Sequence, residues 1–257
     1  VVVVAILLGK SPMTLFAGLG ATSAVLMLVF KDTILGLAAG VRLTSNDMLH
    51  KGDWITVKSV DANGIVEDMS LTTVKVRNFD NTIVTISPAT LVNGSFQNWI
   101  GMQKSGGRRA KRIVYFDFRS IRLVDETLKQ TLLDKHFATE DSFKLKESLQ
   151  KAIEKDIQEG KDIEDLKNPA ALAPTNLQLY RRFMEKYLRQ RPEVNTELTL
   201  MVRHMEATQC GLPIEFYFFI KDKVWVNYEH ILADIMEHAY ALANEFGLKI
   251  YEQYPEQ

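Results

Sequence analysis

The sequence predicts an apolar membrane helix, then a small all-β domain, and then a C-terminal α+β domain. Three observations support this prediction. Residues 11–30 contain no charged side chain, residues 49–100 hold short strand patterns separated by turns, and residues 113–257 mix strand and helix patterns. The composition agrees, because 46% hydrophobic and 25% charged residues, with a formal net charge of −1, are typical of globular domains joined to a small membrane part.

The apolar stretch 11–30 is long enough to cross a bilayer. Twenty helical residues rise about 30 Å, which is the thickness of the hydrocarbon core. Its small residues allow close approach of neighbouring helices, and we expect Gly18 and Gly20 to serve this packing. We therefore predict a helix that packs against copies of itself. A signal anchor or a buried hairpin in a globular core is the alternative.

A second helical pattern follows over residues 31–48. Lys31 and Asp32 come directly after the apolar run, where charges fix the end of a span at the membrane surface, and Asp32 is suited to cap a new helix. We expect an amphipathic helix here that lies along the interface. The predicted helix break and hinge comprise Lys31, Asp32, Gly36 and Gly40.

The first residues of the chain suggest a fragment of a longer membrane protein. The sequence begins with four valines and has no initiator Met, and residues 1–8 read as the end of an upstream span. We assign residues 1–30 to the transmembrane region. The single cysteine, Cys210, excludes an internal disulfide framework and suits a reducing cytoplasm.

Residues 49–100 read as the β-domain. Strand patterns begin at Trp54 and recur up to Ile86, and Asn63-Gly64 predicts a hairpin turn between the first two strands. Four or five short strands within about 50 residues are typical of a small barrel or sandwich.

Residues 101–112 form a basic stretch that we expect to be a solvated linker. A nucleic-acid site would need interleaved aromatic residues and a basic domain, and neither is present. Residues 113–257 then follow the order strand, helix, helix, strand, strand, helix, strand, which is close to a ferredoxin-like α+β domain. A charged helical insertion at residues 142–175 either packs on a neighbouring subunit or is solvated.

The first 100 residues resemble the family of mechanosensitive channels of small conductance, the MscS family. The resemblance covers residues 18–99 and rests on LAAG at 37–40, GD at 52–53, GIV at 64–66, TT at 72–73 and DNTIVTISP at 80–88. The whole sequence is most similar to the miniconductance (YbdG-type) branch. Two positions depart from the family pattern, because Lys31-Asp32 stand where relatives often carry a glycine and Ala89 replaces the usual Asn.

This resemblance implies a tension-gated ion channel that releases ions and small solutes during hypo-osmotic shock. It further implies an Sm-like β-domain, a homoheptamer around a central pore, and a multi-pass protein of the bacterial inner membrane whose β and α+β domains are cytoplasmic. The lipid bilayer is then the main partner. We expect no cofactor, no metal, no nucleic acid and no small-molecule substrate.

One face of the apolar helix is expected to line the pore. Positions spaced i, i+3, i+4 and i+7 share a face, and these are Ala21, Ala24, Val25 and Leu28. By resemblance, Ala24 and Leu28 occupy the family's two constricting positions, where its pattern has leucine at both. A ring of Leu28 would form an apolar collar that blocks ions by dewetting. Leu28 could instead pack or face lipid.

No catalytic motif was found, so we expect the protein not to be an enzyme. The sequence lacks a P-loop, a G-x-G-x-x-G loop, an H-E-x-x-H helix and a G-x-S-x-G elbow. The competing hypothesis is a membrane-anchored scaffold whose β-domain binds a protein or RNA. That hypothesis requires exposed aromatics or a basic face on the β-domain, and the strands carry few aromatics.

Overall fold

The computed structural model describes residues 11–144, 151, 154, 155, 158, 159 and 173–253. The chain divides into two compact units, Val1–Gly101 and Met102–Gln257. Residues 1–10 and most of the predicted insertion lie outside the described residues. The insertion's four regularly spaced apolar residues are among them: Leu145, Leu149, Ile153 and Ile157.

The first unit begins with a single long helix, α1 (Pro12–Ser45, 34 residues). At 1.5 Å per residue it is about 50 Å long. It is continuous through Lys31 and Asp32, so the separate helix predicted to start at Asp32 is not observed. Neither residue is a glycine or a proline, the residues at which most sharp kinks occur, and both continue the helical hydrogen-bond ladder.

Helix α1 ends in a Schellman-type turn. The amide of Met48 donates to the carbonyl of Leu43 (3.0 Å) and that of Asp47 to Thr44 (3.3 Å). Asp47 adopts a left-handed conformation with φ of 55°, a region that Asp tolerates better than most residues. The turn reverses the chain into the β-domain.

The β-domain is a five-stranded antiparallel sheet in the order β4-β3-β2-β1-β5. Its strands are β1 (Trp54–Val57), β2 (Ala62–Met69), β3 (Val74–Asn78), β4 (Ile83–Ile86) and β5 (Gln97–Asn98). A 3₁₀ turn, Lys58–Val60, joins β1 to β2, and helix α2 (Pro88–Asn93) follows β4. A β-bulge interrupts the β2–β3 register between Val66 and Asp68.

The predicted hairpin between β1 and β2 exists, but its turn is not at Asn63-Gly64. Both residues lie inside β2, and the chain reverses at Lys58–Val60 with left-handed Asp61. Glycine is needed at position 64 for close strand packing and not for a turn. A β-carbon there would clash with the backbone of Arg77 on β3. A glycine inside a strand marks such a close approach.

The core of this unit joins the end of α1 to the sheet. Leu43 of α1 is fully buried together with Leu49 in the connector. The other members of the cluster come from the strands and α2: Ile55, Val57, Ala62, Val66, Val74, Val76, Ile86 and Leu91. The C-terminal turns of α1 are therefore part of the β-domain.

The second unit is a three-stranded antiparallel sheet with helices on one face. A short helix α3 (Ile100–Lys104) follows β5, and the strands are β6 (Arg108–Phe116), β7 (Met201–His204) and β8 (Leu212–Ile220), in the order β6-β8-β7. The helices are α4 (Glu126–Asp134), α5 (Glu140–Phe143), α6 (Asn176–Gln190) and α7 (Trp225–Glu245). A 3₁₀ turn, Phe118–Ser120, follows β6.

Two boundaries differ from prediction. The second half of the predicted basic linker is strand, because β6 starts at Arg108 and pairs with β8 from Arg108 opposite Ile220 onward. The predicted last strand at 248–251 is reduced to an isolated bridge between Phe116 and Ile250. Ala110 is fully buried within the basic run, which explains why these residues do not form a solvated linker.

Candidate functional site

The predicted pore residues lie together on α1. Ala21, Ala24, Val25 and Leu28 are within the continuous helix and all four are exposed. The exposed fractions of Val25 and Leu28 are 61% and 73%. Within the part of the chain that the structure describes, nothing covers this apolar face, so its role in lining a pore stays a prediction.

Helix α1 has the properties of a membrane helix. Among the described residues, Phe16–Ser45 is the segment long and apolar enough to cross a membrane, with a mean hydropathy of 1.9 over its most apolar window and 11% of that window buried. The core helix of a soluble protein would be mostly buried. An exposed apolar surface of this size marks contact with lipid or with another protein, which argues against the buried-hairpin alternative.

The glycines of α1 fall into two groups. A β-carbon on Gly18, Gly20 or Gly36 would meet nothing within 4 Å. The predicted packing role of Gly18 and Gly20 would therefore need contacts from outside the described residues, and the hinge at Gly36 stays a prediction. A β-carbon on Gly40 would instead lie inside the contact distance of the Leu71 backbone, in the turn between β2 and β3.

Lys31 and Asp32 are exposed halfway along α1. The helix shows no kink residue at this point. A hinge at these positions stays a prediction.

The connector between α1 and β1 contains a polar cluster that the sequence reasoning missed. Asp53 is buried, and its Oδ2 accepts hydrogen bonds from the His50 amide (3.0 Å) and from Asn98 Nδ2 (2.7 Å). His50 Nε2 lies 3.1 Å from Asp47 Oδ1. The spacing D-x-x-H-x-x-D at 47–53 is the signal that could have revealed it.

An aromatic cluster covers the outer face of the β-domain. Trp54 stacks on Trp99 with 4.7 Å between ring centroids, and Phe79 meets Trp54 edge-on at 5.3 Å. Phe79 is 43% exposed. Counting aromatics within strands underestimated this cluster, because Phe79 and Trp99 lie in loops.

The second unit contains a buried carboxylate on the face of the sheet without helices. Glu215 of β8 is fully buried, with Arg203 of β7 at 2.7 Å and Lys111 of β6 at 3.2 Å. Burial raises the pKa of Glu215, but hydrogen bonds from Arg203 and Lys111 outweigh it and hold the pKa below its ordinary value. This cluster is an ion-pair network of the fold.

An open cleft of about 990 Å³ lies in the same unit beside the end of α7, lined by residues that include Arg119, Arg122 and Lys249. Arg119 and Arg122 are already paired with Asp117 and Asp125. Among the described residues no group of three or more His, Cys, Asp or Glu side chains is arranged to hold a metal ion.

The comparison with protein families concerns the first unit. Residues 32–101 match the family model "Mechanosensitive ion channel, beta-domain". This stretch is therefore similar to a mechanosensitive-channel β-domain. The match includes the second half of α1 and the entire five-stranded sheet, so the sequence resemblance to MscS-type channels is supported over this part of the chain.

Two of the curated relatives are named as mechanosensitive channels. The small-conductance channel MscMJ of Methanocaldococcus jannaschii is 34% identical over 84 residues, which cover 33% of this chain and 23% of the relative. The large-conductance channel MscMJLR of the same organism is 30% identical over 128 residues, covering 49% and 35%. The chain thus spans about a quarter to a third of the length of these relatives.

Solved structures share the fold over nearly the whole chain. The cryo-EM structure of Arabidopsis thaliana MSL1 covers 97% of this chain, and the match spans 69% of that protein, with a TM-score of 0.64 at 10% identity. The match to the crystal structure of Helicobacter pylori MscS in the closed state covers 97% of this chain and 74% of that protein. Its TM-score is 0.57 at 13% identity. At these identities the likeness concerns the fold.

Proposed function

We propose that this chain provides the pore helix and the cytoplasmic domains of an MscS-type channel that membrane tension opens. The observation that carries the proposal is the continuity of α1, an exposed apolar helix, with a segment similar to the mechanosensitive-channel β-domain. Its curated relatives are named small- and large-conductance mechanosensitive channels. The channel would release ions and small solutes during hypo-osmotic shock and would need no catalytic residue.

The finer assignments are part of the same proposal. We place the protein in the miniconductance (YbdG-type) branch, as a multi-pass homoheptamer of the bacterial inner membrane with both domains in the cytoplasm. The five-stranded sheet is taken as Sm-like. The order of Ile250, β6, β8 and β7 across the second sheet is the order of a ferredoxin-like domain, and it supports that assignment.

The mechanism follows from a ring of α1 helices. A collar of Leu28 side chains would exclude water and so block ions without a plug. An expanded ring occupies more membrane area, so tension favours it, and widening rehydrates the collar. Gly18 and Gly20 would let adjacent helices slide, and bending near Lys31, Asp32, Gly36 or Gly40 would allow the helix to tilt.

Patch clamp with applied suction tests this proposal. The protein is expressed in cells without other stretch-gated channels, and the wild type is compared with Leu28→Ser. We expect discrete currents and a lower opening tension for the variant, because a hydroxyl in the collar favours water. An unchanged opening tension in Leu28→Ser would indicate that the constriction lies elsewhere, with Ala24 as the next candidate. Absence of current up to membrane rupture, with the protein verified in the membrane, would reject the channel.

A scaffold is the second candidate, and the cluster of Trp54, Phe79 and Trp99 is the observation that favours it. Exposed aromatics are typical anchors of protein interfaces. Substitution Phe79→Ala separates the two functions, because it removes the most exposed ring and leaves α1 unchanged. If the protein is a scaffold, Phe79→Ala abolishes partner binding, and neither the wild type nor the variant shows a tension-dependent current. If the wild type conducts under tension and Phe79→Ala conducts equally well, the aromatic cluster is not needed for channel function.

A further inference from the structure

The face of the second unit's sheet that carries no helix is unusually apolar. Side chains alternate along β6, β7 and β8, and those on the other face join α4, α6 and α7 in the core. Five side chains on the helix-free side, here called the open sheet face, are apolar or aromatic and at least partly exposed: Ile113, Tyr115, Met201, Tyr217 and Phe219. The solvated face of an antiparallel sheet is ordinarily polar. The open sheet face is therefore suited to contact another surface.

The charged residues of the open sheet face leave a positive surplus. The outward positions of the three strands hold the cations Arg109, Lys111 and Arg203 against one carboxylate, Glu215. That carboxylate is fully buried, and it is shared by Arg203 at 2.7 Å and Lys111 at 3.2 Å. Arg109 lies over the Tyr217 ring, 5.9 Å from its centroid. A partner of this face should therefore be apolar and acidic.

Helix α7 presents that combination on its outer side. Its 21 residues include four carboxylates and two histidines but no Lys or Arg. Helical spacing brings five exposed residues together on the side away from the core, here called the α7 stripe: Val226, Ala233, Asp234, Glu237 and Tyr240. Val226 is 62% exposed and Tyr240 43%. The small side chain of Ala233, near the middle of the stripe, lets another surface approach closely.

The open sheet face and the α7 stripe lie on opposite sides of one unit. The other side of α7 packs into the core beneath the sheet, where Ile235, Ala239 and Ala243 are fully buried. The two surfaces therefore cannot meet within one chain. A contact between them joins two different patches of two copies, and such heterologous contacts can close into a ring.

We propose that the open sheet face of one copy docks on the α7 stripe of the next copy. This inference rests on the proposed function, in which copies surround a pore, and it identifies a contact that the pore helix does not supply. Burial of apolar side chains drives the association, while the basic face and the acidic stripe select and orient each other. Two sheet faces, or two α7 stripes, carry like charges and repel, which disfavours pairing that would end in a dimer.

Cysteine cross-linking of the full protein in membranes tests this contact. In a Cys210→Ser background, Met201→Cys marks the middle of the open sheet face, opposite Tyr217 of the central strand, and Ala233→Cys marks the middle of the α7 stripe. Neither marker removes a charge. A short bis-maleimide is added, and the products are separated by denaturing gel electrophoresis. The matched control combines Met201→Cys with Glu126→Cys, a 91% exposed side chain of α4.

We expect a ladder of covalent multimers from the double variant with cysteines at 201 and 233. Each cysteine alone, and the control pair, should leave the chain monomeric on the gel. Products limited to dimers, or formed by one cysteine alone, would indicate that like surfaces meet and would overturn the inference. A monomeric double variant, or an equal ladder from the control pair, would overturn it as well.

Charge reversal tests whether complementarity selects the partner. Arg109→Glu, added to the double variant, should slow cross-linking by up to about fivefold, which corresponds to the roughly 1 kcal/mol of an exposed ion pair. Lys186→Glu makes the same charge change at an exposed position of α6 and should leave the rate unchanged. Equal rates in the two variants would overturn the selection by charge.

The cross-linking result is independent of conduction. Tension-gated currents without a ladder would overturn the contact and leave the proposed function intact, whereas a ladder without current at any tension would support the contact and reject the channel. A lipid surface on the open sheet face would give a third result. Met201→Cys would then be protected from a water-soluble maleimide in vesicles of anionic lipid, unprotected in neutral ones, and cross-linked in neither, which would overturn the inference.

Discussion

Gly40 of α1 and Leu71 of the β2–β3 turn lie so close that a β-carbon on Gly40 would overlap the Leu71 backbone oxygen. The neighbouring residues Ala39 and Leu43 are buried on the same end of the helix. A glycine here therefore serves close packing of the helix on the β-domain. Helix and domain are joined through rigid backbone rather than through a side chain that could adjust.

Gly40→Ala should weaken this junction. The new methyl group must displace the backbone of either α1 or the turn, and such overpacking destabilises by about 1–3 kcal/mol. Thermal unfolding of the purified protein in detergent measures the loss.

Gly36→Ala is the matched control, four residues earlier in the same helix and with open space for a β-carbon. It should be neutral or stabilising by up to about 1 kcal/mol, since alanine is the better helix former. Equal effects of the two substitutions would show that helix propensity, and not the contact with Leu71, governs the junction.

The predicted pore face and the docked end of α1 lie on one side of the helix. Ala21 and Ala39 are separated by about five turns at 3.6 residues per turn, so both point in nearly the same direction. Ala39 is buried and Ala21 exposed. In a straight helix, rotating the docked end would also rotate the predicted pore face.

Ala24→Leu should raise the tension needed for opening. It adds a larger apolar side chain at the wider of the two predicted constrictions, so the dewetted section would become longer and narrower. Patch clamp measures the opening tension and the conductance, and both should change, the conductance downward. Leu19→Phe, which adds bulk on nearly the opposite side of α1, should change neither. A larger effect from the Leu19 variant would place the pore on the other face.

The sequence predicted those elements whose patterns are local. The apolar face of residues 176–191, which stops before Pro192, indicates the helix that the structure has at Asn176–Gln190 (α6). The strand pattern that recurs up to Ile86 and stops before Pro88 likewise indicates the end of β4. Periodicity and proline act over a few residues, so they can be read without knowing the fold.

Two of the misses depended on distant contacts. Arg108 begins β6 because it pairs opposite Ile220 and its guanidinium lies 4.3 Å from the Tyr228 ring centroid. Gly64 lies within a strand because the backbone of Arg77 passes close to it. Neither contact leaves a local mark, so basic residues suggested a linker and Asn-Gly a turn. The same limit applies to the pore residues, whose neighbours belong to other chains in the proposed ring.

Glu215→Gln should reduce the stability of the second unit at neutral pH by about 1–3 kcal/mol, because the hydrogen bonds from Arg203 and Lys111 lose their charge assistance. The pKa of Glu215 is held below its ordinary value, so the charged form stabilises the fold above pH about 4.3 and this stabilisation is lost as pH falls through the folded-state pKa. Denaturant unfolding followed by circular dichroism should show the difference between wild type and variant shrinking below that pH. Glu237→Gln, on the exposed face of α7, should show no such convergence.

Asn176→Ala should be among the most destabilising single substitutions in the second unit. Asn176 is fully buried, its Oδ1 accepts from the amides of Arg122 and Leu177, and its Nδ2 donates to the carbonyls of Ser120 and Phe246. Removing the amide leaves these backbone groups without partners, at a cost of roughly 3 kcal/mol.

Denaturant unfolding of the purified protein measures that loss. Asn244→Ala on the surface of α7 should change the free energy of unfolding little. Asn176→Asp keeps the acceptor oxygen and loses both donated bonds, so it should also destabilise the fold. A stable Asn176→Asp variant would show that only the bonds to Arg122 and Leu177 matter, and that the link from the start of α6 to the end of α7 contributes little.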